Sequence, residues 1–171
     1  MSRSSGLAVV AIASTEGCRV GVDAERCDRP LCCIPADVAL SPAERLQLTS
    51  VLPERQPSEF LKLWTLKEAY GKLRGRGICF PLEGLEVAVS PAQLVRAEVS
   101  LAPSKELHLE TRQVRTAAGI HHTSLAVECP SDLRPRAAFH VLETLWPAPG
   151  EEPQLPTNEG AVEPSSAEEA G

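Results

Sequence analysis

The chain has 171 residues, 43% of them hydrophobic, which suits one packed domain with a core of ordinary size. Its formal net charge of −6 is concentrated at the end: residues 150–171 hold six glutamates and no basic residue, leaving 17 basic residues against 17 acidic ones in the body. A neutral body with an acidic tail excludes nucleic acid as a partner, and no apolar run reaches the roughly 18 residues of a membrane span, so no membrane is expected either.

The N-terminus lacks the charged region, apolar stretch and small-residue cleavage site of a secretory signal, so a cytoplasmic location is expected and the six cysteines read as reduced thiols. Cys27, Cys32 and Cys33 cluster without a CxxC pair or a nearby histidine, which favours a loop of small thiols over a zinc site.

In chain order, "LAVVAIA" (7–13) is a continuous apolar run, "STEG" a turn, and "CRVGVDAE" (18–25) alternates, so a β-hairpin is expected. Period two places Arg19, Gly21, Asp23 and Glu25 on one face of the second strand, which puts two carboxylates side by side. "LSPAERLQLTSVL" predicts a helix with Ser41 as N-cap, Pro42 as first residue and Glu44 closing a capping box. A longer helix follows, with Ser58 as the expected cap and Gly75 and Gly77 as the stop. "GLEVAVS", "VRAEVSLA", "KELHLETRQV", "HHTSLAVEC" and "RAAFHVLET" then read as short strands. The expected fold is α+β, helices packed on a mainly antiparallel sheet, over residues 1–147, with 148–171 a disordered acidic tail.

At 100° per residue Leu63, Leu66, Tyr70 and Leu73 form one stripe of the long helix, while Leu61, Trp64, Glu68 and Lys72 lie opposite, so the helix is covered on both sides. Glu68 and Lys72, four apart, suit a plain helical ion pair of about 0.2–0.5 kcal/mol. Asp23 and Glu25 add a second reading. Three carboxylates converging beside Lys67, Lys72, Arg74 and Arg76 need a cation, and magnesium fits, because it takes one or two carboxylates and completes its shell with water and substrate phosphate. On spacing alone the chemistry is metal-assisted transfer of a phosphate-containing group. His121 and His122 adjoin on a strand, face opposite ways and read as ordinary strand histidines. Trp64 packs, or walls the site from water; Arg74 and Arg76 either contact an acidic carrier or lie in a solvated loop.

At these residues the chain resembles the 4'-phosphopantetheinyl transferases of the surfactin-synthetase-activating type. Their Gly-x-Asp-x-Glu and Trp-Ser/Thr-x-Lys-Glu-Ala/Ser-x-x-Lys segments stand here as "GVDAE" (21–25) and "WTLKEAYGK" (64–72). "LSPAERLQL" and "GRGICFPLEGLEV" are also similar, extending the resemblance over roughly residues 2–145. It implies magnesium-dependent transfer of phosphopantetheine from coenzyme A to a serine of an apo carrier protein, with release of adenosine 3',5'-bisphosphate. It also implies Asp23, Glu25 and Glu68 as magnesium ligands, Glu68 as base toward the serine, Lys72 on the diphosphate, and Lys67 neutralising phosphate charge.

Members of this type are usually two similar half-domains with coenzyme A between them, and a Ser-His-Ser segment near the start of the second half contacts the 3'-phosphate region. "SRSSGLAVVAIA" begins at that segment, with Arg3 in the histidine position, so the chain is similar to a second half alone, a single half-domain. Arg3 is then a candidate phosphate contact. Three readings follow: a transferase completed between identical subunits as a dimer or trimer, a non-catalytic module binding coenzyme A or the carrier protein, and a truncated product needing its missing half. A complete acidic trio argues against the binding module, which has no need of three converging carboxylates.

Overall fold

The computed structural model describes residues 1–4, 6–28, 36–76, 82–96, 105–117 and 119–132. All lie in the first of the two units into which the chain divides, Met1–Phe139. The expected strand at 136–144, the 147/148 boundary, the acidic tail, Gly77, Cys32 and Cys33 lie outside the described residues.

Among the described residues there are three sheets and three α-helices. β1 (Ser2–Ser4) pairs antiparallel with β2 (Leu7–Val9). β3 (Arg19–Arg26), β6 (Lys105–Thr116) and β7 (Gly119–Pro130) form a three-stranded antiparallel sheet in the order β3-β7-β6, and β4 (Glu86–Val89) and β5 (Ala92–Arg96) form a hairpin. α1 (Ala36–Ala39) and α2 (Pro42–Thr49) precede α3 (Gln56–Leu73), which lies across the three-stranded sheet. The α+β expectation is met.

The expected hairpin of 7–13 with 18–25 does not form. β2 turns back on β1, residues 10–17 are not strand, and β3 pairs along all eight residues with β7, from Arg19 opposite Glu128 to Arg26 opposite His121. The distant partner wins because the longer ladder satisfies more backbone and takes Val22 and Ala24 out of water, whereas Val10 and Ile12 stay 62% and 86% exposed.

α2 starts as its sequence predicts. Ser41 Oγ accepts from Glu44 N at 3.2 Å and Glu44 Oε2 accepts from Ser41 N at 2.7 Å, with Pro42 in the first turn. α3 starts earlier than expected: Arg55 occupies the cap position with no side-chain bond, and Ser58 lies inside the first turn, where its hydroxyl meets His122 Nε2 at 2.9 Å. The helix stops at Gly75, whose φ of +72° favours glycine, with Gly75 N bonded to Lys72 O and Arg76 N to Gly71 O, the bond pattern of a Schellman motif.

Both sides of α3 are buried, as its two apolar stripes require. Phe60, Leu63, Leu66, Tyr70 and Leu73 join Ala39, Leu40, Leu85, Val87 and Ala126 in one core. Trp64 stacks on Phe60 with ring centroids 6.4 Å apart, so it packs. The crossing of α3 over β3 turns on Gly21: a Cβ there would lie 2.0 Å from Ala69 O and 2.4 Å from Leu73 N, so only glycine lets the helix come this close. Asp23, two residues along on the same face, is thereby carried up to the side of α3 that bears Glu68 and Lys72.

Candidate active site

The crossing brings the predicted carboxylates together. Asp23 and Glu68 are each 4% exposed, and Glu25 is half-buried. Burial, and after it the charge of Asp23, pushes the Glu68 carboxyl above its ordinary range; Lys72 pulls it back down and Glu25 adds to the rise. Asp23 and Glu25 on β3 thus both act on the Glu68 carboxyl on α3.

Lys72 does not form the helical pair with Glu68. Its Nζ lies 2.6 Å from Asp23 Oδ1, across the crossing, because β3 is pressed against this turn of α3. The same Asp23 oxygen accepts from Ser2 Oγ at 2.8 Å. Ser4 Oγ donates to Glu25 Oε2 at 3.0 Å and accepts from Arg26 N at 3.1 Å. Ser2 and Ser4 thus hold the two strand carboxylates from β1. Sequence reasoning singled out only Arg3 between them, although the Ser-x-Ser alternation places both hydroxyls on one face. Arg3 itself is exposed and alternates away from that face.

Two oxygens are left over. Asp23 Oδ2 and Glu68 Oε1 are buried with no hydrogen-bond partner, an expensive state for carboxylate oxygens. Among the described residues no three His, Cys, Asp or Glu side chains are drawn into a ready-made metal cluster. A divalent cation that keeps several waters and takes only one or two carboxylates does not require one. The donor set is all oxygen and the unpartnered atoms belong to residues on facing elements, so the residues present fit a hard divalent cation.

Lys67 requires a correction. It is fully buried, and its Nζ donates to Ala39 O at 2.8 Å, Leu82 O at 2.9 Å and Glu44 Oε2 at 2.5 Å. Glu44 also accepts from Val87 N at 2.9 Å through its other oxygen. An ammonium has three donors, and these acceptors take them all, so Lys67 ties α3 to α1, α2 and the Leu82 turn and is not available to a phosphate. The capping-box motif pointed to Glu44 as a cap, but nothing in the sequence pairs it with Lys67.

Other cations near the helix end are also engaged. Arg74 Nη1 lies 2.9 Å from Glu128 Oε2 and the guanidinium stacks 6.0 Å from the Tyr70 ring centre, so Arg74 is braced internally. Arg19 Nη2 donates to Leu73 O at 2.6 Å, a cation on the C-terminal carbonyls of α3. His121 and His122 are both buried in β7, and desolvation, with Lys62 adding, lowers His122 to a pKa of about 4. No helix among the described residues is long and apolar enough to cross a membrane.

An acidic trio, two of its members buried, crossed by one lysine where a helix packs against an antiparallel sheet, is the kind of site that handles a charged, phosphate-bearing substrate. The family model described as the 4'-phosphopantetheinyl transferase superfamily matches residues 19–128, more than half of the chain, and the chain belongs to that superfamily. It is accordingly a transferase of this class. No curated protein sequence matches it. The fold is similar to a holo-(acyl-carrier-protein) synthase from Bacillus anthracis str. Ames in complex with CoA (3',5'-ADP), with a TM-score of 0.50 and 18% identity over 65% of this chain and 96% of that one. It is equally similar to the Chronobacterium ammoniagenes ACPS–CoA complex, with a TM-score of 0.50 and 18% identity over 68% of this chain and 99% of that one.

Proposed function

We propose that the chain transfers the 4'-phosphopantetheine group of coenzyme A to a serine of an apo carrier protein in a magnesium-dependent reaction, as the surfactin-synthetase-activating type does. The observation that carries this reading is the pair of buried, unpartnered oxygens, Asp23 Oδ2 and Glu68 Oε1, beside the Lys72 ammonium. Magnesium would be held by Asp23, Glu25 and Glu68 and would neutralise diphosphate charge during transfer. Lys72 releases Asp23 Oδ1 to donate to the diphosphate, and Ser2 keeps that oxygen hydrogen-bonded. Glu68, with its raised pKa, takes the proton of the carrier serine as the serine oxygen attacks phosphorus; the bond to the bridging oxygen breaks and adenosine 3',5'-bisphosphate leaves. Arg3, exposed on β1, is the proposed contact for the 3'-phosphate.

The proposed form is an assembly of identical subunits, a dimer or trimer, that completes the site; the exposure of Val10 and Ile12 supports a covered surface at this end of the molecule. The domain is proposed to run to residue 147, with a disordered acidic tail after it and a cytoplasmic location.

Mass determination of apo carrier proteins from fatty-acid, polyketide and nonribosomal-peptide synthesis, after incubation with the chain, coenzyme A and magnesium, tests the reaction. A gain of the phosphopantetheine mass on one of them, lost when the metal is chelated, is the expected result. Unchanged mass on all three, with coenzyme A still bound, would favour the non-catalytic binding module.

A further inference from the structure

The pairing of β3 with β7 continues beyond its last ladder step. Arg19 stands opposite Glu128, and two residues earlier Gly17 lies against Pro130, whose Cγ would be 3.4 Å from a Cβ at residue 17. Between these two pairs Cys18 stands opposite Cys129. The backbone bond from Cys27 N to Ile120 O, 2.8 Å, makes Cys27 and Ile120 a hydrogen-bonded pair of the same register. Alternation then makes the even-numbered residues of this strand, Cys18 among them, the non-hydrogen-bonded positions. Facing Cα atoms at such positions are about 4.5 Å apart, inside the roughly 4.4–6.8 Å that a disulfide spans.

Both residues are thiols in the structure. Cys18 is half-buried and Cys129 fully buried. Burial pushes the Cys129 thiol up, and Cys18 beside it is the next largest cause; Glu106 and Asp132 act in the same sense and Lys105 against them. Lys105 also donates to Gly17 O at 2.7 Å, which places a cation at the mouth of the pair.

We propose that Cys18 and Cys129 are a cross-strand redox pair that closes to a disulfide when the chain meets a small-molecule disulfide. Cys18, the reachable thiol, loses its proton to solvent and attacks one sulfur of the oxidant, so that one small thiolate leaves and is protonated. Cys129 then attacks the Cys18 sulfur of the mixed disulfide, gives up its proton, and the second small thiol departs. The two cysteines lose two electrons, and the oxidant is reduced to two thiols. The new bond ties the edge strand that carries Asp23 and Glu25 to the central strand and closes a loop of more than one hundred residues in the unfolded chain, so it favours the folded state.

The test uses the full chain, reduced and then exposed to oxidised glutathione. Trypsin releases Cys18 and Cys129 in separate peptides that contain no other cysteine, so the link is read directly by mass. The expected result is the Cys18–Cys129 peptide pair together with a thermal midpoint above that of the reduced chain, both reversed by a reducing agent. The half-buried Cys18→Ser keeps the core intact and should lose both. Glutathione retained on Cys18 without the pair, a link from Cys18 to a different cysteine, or a linked chain no more stable than the reduced one would overturn the proposal. None of these readouts depends on the transfer reaction.

Discussion

Two lysines five residues apart on α3 form ion pairs of comparable length and opposite character. Lys67 and Glu44 are 0% and 2% exposed at the side chain, and backbone groups from three other segments complete their bonding. Lys72 and Asp23 are 29% and 5% exposed, and beside them Asp23 Oδ2 and Glu68 Oε1 have no partner. A buried charge whose hydrogen bonds are all filled holds the fold together. One whose neighbours remain unfilled is arranged for something that comes from outside. The WTLKEAYGK segment contains both kinds, and the geometry of the crossing separates them.

Breaking the sealed pair should have the largest effect on stability. Lys67→Ala leaves the Glu44 carboxylate buried without its cation, and the expected loss is about 3–5 kcal/mol, read from urea unfolding. An unchanged unfolding midpoint would remove the distinction between the two lysines.

Opening the other side should cost activity and spare the fold. Asp23→Ala or Glu68→Ala should lower transfer by about 10²–10³-fold, the scale on which a preorganised electrostatic group acts, with an unaltered circular dichroism spectrum. Full turnover in either variant would sink the metal-site reading.

Lys72→Ala sharpens the contrast, since it removes a cation from an open pair. Coenzyme A affinity should fall by about 1–3 kcal/mol, the range of a charge-assisted hydrogen bond, measured by calorimetry. Equal affinity would return Lys72 to a purely structural role.

The smallest effect belongs to His122, a polar group sealed under α3 by Ser58. Its pKa falls from 6.5 to about 4 on folding, through burial and then Lys62, with Glu59 opposing. The unfolded chain therefore binds a proton that the folded chain refuses. The stability this residue confers is fully present above pH 6.5 and lost as the pH falls toward 4. Between pH 7 and 5 the loss should be roughly 1–2 kcal/mol, and His122→Gln should remove that part of the pH dependence in unfolding titrations.

The capping box of α2, the double-sided burial of α3, its stop at Gly75 and the alternation that puts Asp23 beside Glu25 were all legible in the chain, because each depends on residues within a few positions of one another. The three carboxylates were legible as candidates for the same reason. Their convergence required the helix to pass over Gly21 at a distance only a missing side chain permits, and no local pattern encodes which helix will use that gap. Strand partners were decided the same way: β3 left its neighbour in sequence for β7, about one hundred residues on, because the long ladder buries more than the short hairpin. The two lysines of one motif look alike in sequence, and only the packing assigned them. Lys67 points into acceptors from α1, the Leu82 turn and Glu44, whereas Lys72 points across to Asp23, since side chains five residues apart on an α-helix emerge in different directions and meet different neighbours.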